Sequence, residues 1–209
     1  MEPTSVALSP DARRLLLARP ERTIGDQGRP VEFETDEALA ERALTEPQAF
    51  NQLVVRYQDR LYGLAYRMTG QSSDARDLAQ DAFVRAFRHL GTFQPGRRFA
   101  PWLYRIAVNL CLDYRQRRPP TVSLGDQELP QRELSPEARV IQREEQQRVQ
   151  RAILALPPKY RAVIVLRHLE DLTYEEIAAT LGLPINTVRT HLFRAREALR
   201  KALKDDGLL

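Results

Sequence analysis

The residues best suited to reading nucleic acid stand near the C-terminus. Asn186, Thr187, Arg189, Thr190, His191, Phe193 and Arg194 share a segment with Val188, Leu192, Ala195 and Leu199, which recur at steps of three and four. On a helix that spacing turns the apolar set inward and leaves the first seven residues outward. A guanidinium can pair with a guanine edge in two-point fashion, and Asn and Thr can reach bases or phosphates. From Pro184 to Lys204 the bases Arg189, Arg194, Arg196, Arg200, Lys201 and Lys204 meet a single acid, Glu197.

A second basic segment interleaves with aromatics. Phe93, Arg97, Arg98, Phe99, Trp102 and Arg105 follow one another closely, and from Gly96 to Arg118 six arginines face one acid, Asp113. Exposed aromatics beside cations suit single strands or flipped bases, because stacking becomes available only once a base leaves the duplex. Core packing is the alternative for much of Phe99 and Trp102. Just upstream, Asp77, Gln80, Asp81 and Val84 lie at steps of three and four, an acidic face with an apolar residue beside it. Acids repel DNA, so this face suits a protein partner rather than DNA; taken alone, it reads first as a solvated face.

Covalent chemistry has little to work with. His89, His168 and His191 lack metal-ligand spacing, no phosphate loop or nucleophile elbow occurs, and the single cysteine, Cys111, sits in an apolar run. The expectation is a non-enzymatic protein with no metal, no cofactor and no disulfide framework. Thirty-two basic against 28 acidic residues gives a net charge of only +4 in 209 residues, so the placement of charge matters more than its total. The longest early apolar run, Leu15 to Ala18, is too short for a secretory core or a membrane span, which predicts a cytoplasmic protein.

Helices must position these groups. Phe50, Leu53, Val54, Tyr57, Leu61, Leu64, Ala65 and Met68 predict one long helix stopped by Gly70. Ala75, Leu78, Ala79, Ala82, Phe83, Ala86, Phe87 and Leu90 predict a second, with Ser72 and Ser73 as caps and Gly91 as its end. A third opens near Ala100-Pro101 and runs through Ile106 and Leu110 to Arg118. Residues 119–136 contain Pro119, Pro120, Pro130 and Pro136 without hydrophobic period, and read as a linker reaching roughly 60 Å if fully extended. Residues 1–35 read as a mostly disordered leader with a hint of helix near Ser9 to Leu17.

Beyond the linker, helices resume at Ser135-Pro136-Glu137 and break at Pro157-Pro158. Thr173-Tyr174-Glu175-Glu176 is a capping box, and Leu181-Gly182-Leu183-Pro184 a tight turn before the basic helix. A short capped helix, a Gly turn and a longer helix make a helix-turn-helix. A helical hairpin with a solvated basic face shares the periodicity but does not require the cap, the turn and the charge asymmetry together. The predicted fold is all-α: two small helical domains, 36–118 and 137–209, each with its own core, joined by a flexible linker.

These residues resemble the sigma factors of bacterial RNA polymerase, in particular the compact extracytoplasmic-function group. The string from Asp74 to Phe83 looks like that family's polymerase-binding helix. Phe99, Trp102-Leu103, Ile106-Ala107, Asn109 and Asp113 look like its promoter-melting segment. Tyr174-Glu175-Glu176-Ile177-Ala178 and the run from Thr187 to Arg196 look like its second DNA-binding module. The resemblance implies that Asp77, Leu78, Gln80, Asp81 and Val84 meet core polymerase. It implies that Arg97, Arg98, Trp102, Arg105, Asn109, Asp113 and Arg117 engage the minus-ten element, with an unpaired base captured near Asn109. Asn186, Thr187, Arg189, Thr190, His191, Phe193 and Arg194 would then read the minus-thirty-five element, and an anti-sigma factor is an implied partner. Gln116 stands where a basic residue is common, and Asp171 and Asn186 where Gly is common, so base preference is open to change. The run from Asn186 to Leu192 also resembles the recognition helix of LuxR-type regulators, which would make a conventional regulator; their α/β partner domain has no counterpart in the strand-free N-terminal half.

Overall fold

The computed structural model describes residues 34–117 and 136–205, and among them the chain forms eight α-helices and no strand. The expected helix near Ser9 and the linker as far as Ser135 lie outside the described residues. Pro136, expected in the linker, is instead the first residue of a helix, the position where a missing N–H costs least.

In chain order the helices are α1 (Asp36–Arg42), α2 (Phe50–Thr69), α3 (Ser72–Arg88), α4 (Phe99–Arg117), α5 (Pro136–Ala155), α6 (Pro158–His168), α7 (Tyr174–Leu181) and α8 (Ile185–Asp205). The short α1 was not expected as a separate element. Its N-cap is Thr35, whose hydroxyl accepts from the Ala38 amide at 3.1 Å, with Asp36 and Glu37 favouring the positive end of the helix dipole.

α2 is central. Phe50, Leu53, Tyr57, Leu61, Leu64 and Met68 are buried along it, and Gly70 closes it at φ 84°, a conformation that glycine adopts without strain. α3 presents Ala75, Ala79, Ala82 and Ala86 to the core, small side chains that let the two helix backbones approach closely. The expected serine caps are not used: Gln71 is the N-cap, Ser72 is already helical, and its hydroxyl lies 3.0 Å from that of Tyr62. α3 ends at Arg88, so Gly91 falls in a following 3-10 turn rather than at the helix end. Phe87, assigned to the apolar stripe, is exposed, touching Phe50 only by its edge.

Among the described residues the two expected helical halves pack against one another, and their buried side chains form one continuous cluster. α6 is the reason. Ala162, Val163, Ile164, Val165 and Leu166 are all buried, and a helix apolar on every side must be covered on every side. It packs against α8 on one side and α2 on the other, while α7 packs on α4.

Polar contacts line the same seam. Arg161, only 1% exposed, donates to the carbonyls of Ile153, Leu154 and Leu156 at the end of α5 and to that of Met68 at the end of α2. Helix C-termini carry unpaired carbonyls and partial negative charge, so they can accommodate a buried guanidinium without a carboxylate. Burial and the Arg115 charge nearby push Arg161 down to about 10, leaving it charged at neutral pH. Glu170 accepts from Arg60 of α2 at 3.0 Å and from the Tyr104 hydroxyl of α4. Gln150 donates to the Tyr66 carbonyl at 3.0 Å.

Candidate nucleic-acid interface

The helix-turn-helix forms as its local chemistry dictates. The Glu176 amide donates to the Thr173 hydroxyl at 3.2 Å while the Thr173 amide donates to the Glu176 carboxylate at 2.8 Å, completing the capping box. Gly182 takes φ 64° at the end of α7. Asp171, where Gly is common, takes φ 52°, the one positive φ at a non-glycine among the described residues. A short polar side chain makes that conformation less costly. Asn186 lies inside α8, so its place needs no special backbone.

α8 buries Val188, Leu192, Ala195, Leu199 and Leu203 and leaves Asn186, Arg189, Thr190, Phe193 and Arg194 exposed. Phe193 is 48% exposed, an aromatic ring on an otherwise basic and polar face. The Thr190 hydroxyl donates to the Asn186 carbonyl at 2.9 Å, so it is left as an acceptor. Thr187 and His191 are half-buried. His191 lies against the Tyr160 ring at the start of α6, an aromatic neighbour that the sequence reading missed.

α4 carries the second surface. Arg105, Asn109 and Asp113 lie one turn apart on a single exposed row, with Arg97 and Arg98 exposed before the helix and Arg117 exposed at its end. Phe99 is wholly buried, so for it the packing alternative holds. Trp102 is half-buried, tilted against Phe99 and edge-on to Phe93 with centroids 5.5 and 5.7 Å away, which leaves part of its indole at the surface.

Two carboxylates hold this helix in place, and neither was singled out for that role from sequence. Glu37 of α1 accepts the Phe99 amide at 2.9 Å, capping α4 from outside, and Asp74 of α3 accepts the Tyr114 hydroxyl near its far end. α1 is itself tied to α2 through Asp36, which accepts from Arg56 at 2.6 Å and from Tyr57. Burial first, then the hydrogen bond to Asp36, raises the Tyr57 pKa, which keeps that phenol a donor. The available signal was the pair of acids following Thr35.

On α3, Asp77, Gln80, Asp81 and Val84 are exposed on one face, and Phe87 extends it with a second apolar side chain. Leu78, grouped with them, is only 8% exposed and lies beneath that face, where it packs the core. Arg98 is not free either. Its guanidinium meets Glu176 of the capping box at 2.5 Å, and nearby the Thr180 hydroxyl donates to the Pro101 carbonyl at 3.4 Å. The helix-turn-helix therefore rests on the start of α4.

Comparison with known proteins gives these surfaces a family. The model for Sigma-70 region 2 matches residues 53–119 and that for Sigma-70 region 4 matches residues 146–199. The ECF RNA polymerase sigma-E factor of Escherichia coli K12 is 42% identical over 177 residues, 79% of this chain and 92% of that protein. The ECF RNA polymerase sigma factor SigW of Bacillus subtilis is 41% identical over 169 residues, covering 75% and 90%. The chain belongs to the extracytoplasmic-function group of the sigma-70 family.

Among solved structures, CnrH in complex with the cytosolic domain of CnrY matches this sigma factor with a TM-score of 0.65 at 33% identity, over 83% of this chain and 99% of that one. The Bartonella quintana sigma factor RpoE, solved with the anti-sigma factor NepR, shares the fold with a TM-score of 0.60 at 23% identity, over 74% and 96%. The region 2 match spans α4 with its exposed row, and the region 4 match spans the helix-turn-helix.

Proposed function

We propose that this protein is an alternative sigma factor that binds core RNA polymerase and directs it to specific promoters, acting by binding and not by covalent catalysis. The observation that supports this best is the pairing, in one chain of this family, of two unlike nucleic-acid surfaces: a duplex-reading helix-turn-helix on α8, and a row on α4 where Trp102 and arginines suit unpaired bases. The exposed face of α3, with Asp77, Gln80, Asp81 and Val84, is the polymerase-binding surface. Arg97, Arg98, Trp102, Arg105, Asn109, Asp113 and Arg117 engage the minus-ten element, and Asn186, Thr187, Arg189, Thr190, Phe193 and Arg194 the minus-thirty-five element, with His191 packed behind them.

Residues 36–118 and 137–209 serve as the two working domains, joined by the linker, and the protein acts in the cytoplasm, where its polymerase is. An anti-sigma protein is the further partner that membership of the group implies.

Elements near positions minus ten and minus thirty-five are separated by roughly 80 Å of duplex, at about 34 Å per turn. In the structure α7 lies on α4, so the two readers are neighbours. The seam must open for both elements to be engaged together, and an extended linker of roughly 60 Å, added to the size of the domains, can cover the distance.

In vitro transcription of fragmented host DNA by purified core polymerase, with and without the protein, tests the reading. New start sites preceded by two shared motifs at fixed spacing are expected. Sequence-specific binding by the protein alone, with no new starts, would mean a conventional regulator.

A further inference from the structure

The first turn of α6 bears no contact with DNA in the reading above, yet it is built against the recognition helix. The Arg194 guanidinium donates to the Tyr160 hydroxyl at 3.3 Å. One turn earlier on α8, His191 meets the Tyr160 ring edge-on, with centroids 5.1 Å apart and planes at 61°. The His191 Nδ1 is buried there with no hydrogen-bond partner, so this imidazole acts at that edge as packing that fixes the phenol. Desolvation first, then the Lys159 and Arg194 charges, lower the His191 pKa, which keeps it neutral at pH 7. Lys159 is exposed, and its ammonium lies 5.8 Å from the Tyr160 ring centroid.

Resting on the assignment of α8 as the duplex reader, we infer that Tyr160 is a positioning residue for Arg194 and that Lys159 adds a phosphate contact beside it. An exposed arginine samples many rotamers, and aligning its fork with a base edge costs conformational entropy. A hydroxyl held in place by the Tyr160–His191 ring contact takes one N–H of that fork and narrows the choice before DNA arrives. The other N–H groups remain for the base. Lys159 projects from the same turn and supplies a point charge, which strengthens binding without sequence preference.

The test uses holoenzyme and a promoter found by mapping its own start sites, with binding measured against that promoter and against a copy substituted in the upstream motif. Arg194→Ala is expected to weaken the native promoter selectively. Tyr160→Phe keeps the ring on His191 and removes only the hydroxyl; it should weaken native-promoter binding roughly three- to tenfold and leave the substituted copy unchanged. In the Arg194→Ala background it should have no further effect, a result that a merely structural role for the hydroxyl would not give. Lys159→Gln should weaken both promoters alike and reduce the dependence of log affinity on log salt by about one.

A wild-type holoenzyme that does not distinguish the two promoters would remove the duplex-reading assignment itself. If it does distinguish them, an unchanged native-promoter affinity in Tyr160→Phe, or an equal loss with and without Arg194, overturns the positioning role alone. An unchanged salt slope in Lys159→Gln overturns the phosphate contact.

Discussion

Opening of the seam should be governed by Glu170. Its side chain is 5% exposed and receives the Tyr104 hydroxyl, itself buried, together with Arg60, which is 40% exposed. A hydrogen bond to a buried carboxylate contributes about 1.5–3 kcal/mol. The Arg60 pair, largely screened by solvent, adds no more than about 1 kcal/mol. Glu170→Ala should therefore favour the open form by roughly 1.5–4 kcal/mol, a change of roughly ten- to several hundred-fold in the closed-to-open ratio. Dyes on cysteines introduced at the exposed positions Arg88 and Lys201 would report separation as a fall in energy transfer; buried Cys111 stays unlabelled. Tyr104→Phe should give a smaller opening, and the double variant less than the sum, because both changes remove the same bond. Wild-type energy transfer in Glu170→Ala, or full additivity with Tyr104→Phe, would refute this account of what holds the halves together.

Other consequences can be checked alongside. Gly70→Ala should lower the unfolding free energy by more than about 1 kcal/mol in a denaturant titration, since a Cβ at φ +84° is strained and would lie 2.6 Å from Leu154 across the seam. Thr173→Ala removes the capping hydroxyl and should cost about 1 kcal/mol of stability, while Thr173→Ser should restore most of it. Burial pushes the Cys111 thiol from its ordinary 9.0 up to about 12, so the native protein should resist a thiol reagent at pH 8 that labels it at once in denaturant. The folded thiol keeps its proton where the unfolded one loses it, so its contribution to stability is present below pH 9 and falls away between about 9 and 12, visible as a loss that Cys111→Ala lacks. On the proposed assignment of α4 to the unpaired base, Asn109→Ala should reduce strand opening, read by permanganate reactivity of the minus-ten region, more than it reduces closed-complex binding.

Local signals were legible because their physics is local. The period of α2, the capping box at Thr173, the tight turn at Gly182 and the buried stripe of α8 each depend on a few neighbouring residues and are as the sequence predicts, whereas Thr187 and His191, expected outward, are half-buried. The serine caps failed because Gln71 and a hydroxyl contact with Tyr62 offered Ser72 something better, a choice set by a side chain ten positions away. Phe87 and Leu78 show the limit of periodicity: three- and four-residue steps define a stripe, but where its edge meets solvent depends on what packs beside it.

By itself the sequence determined the longer helices, the basic and polar outward face of α8 and the exposed row on α4, since charge asymmetry and apolar spacing on a single element need no partner to be read. Only the tertiary structure decided that Glu37 and Asp74 pin α4, that Tyr160 stands against Arg194, and that Arg161 and Glu170 close the halves on one another. These contacts join residues far apart in the chain, and a side chain brought near by folding leaves no periodic trace of the partner it will meet.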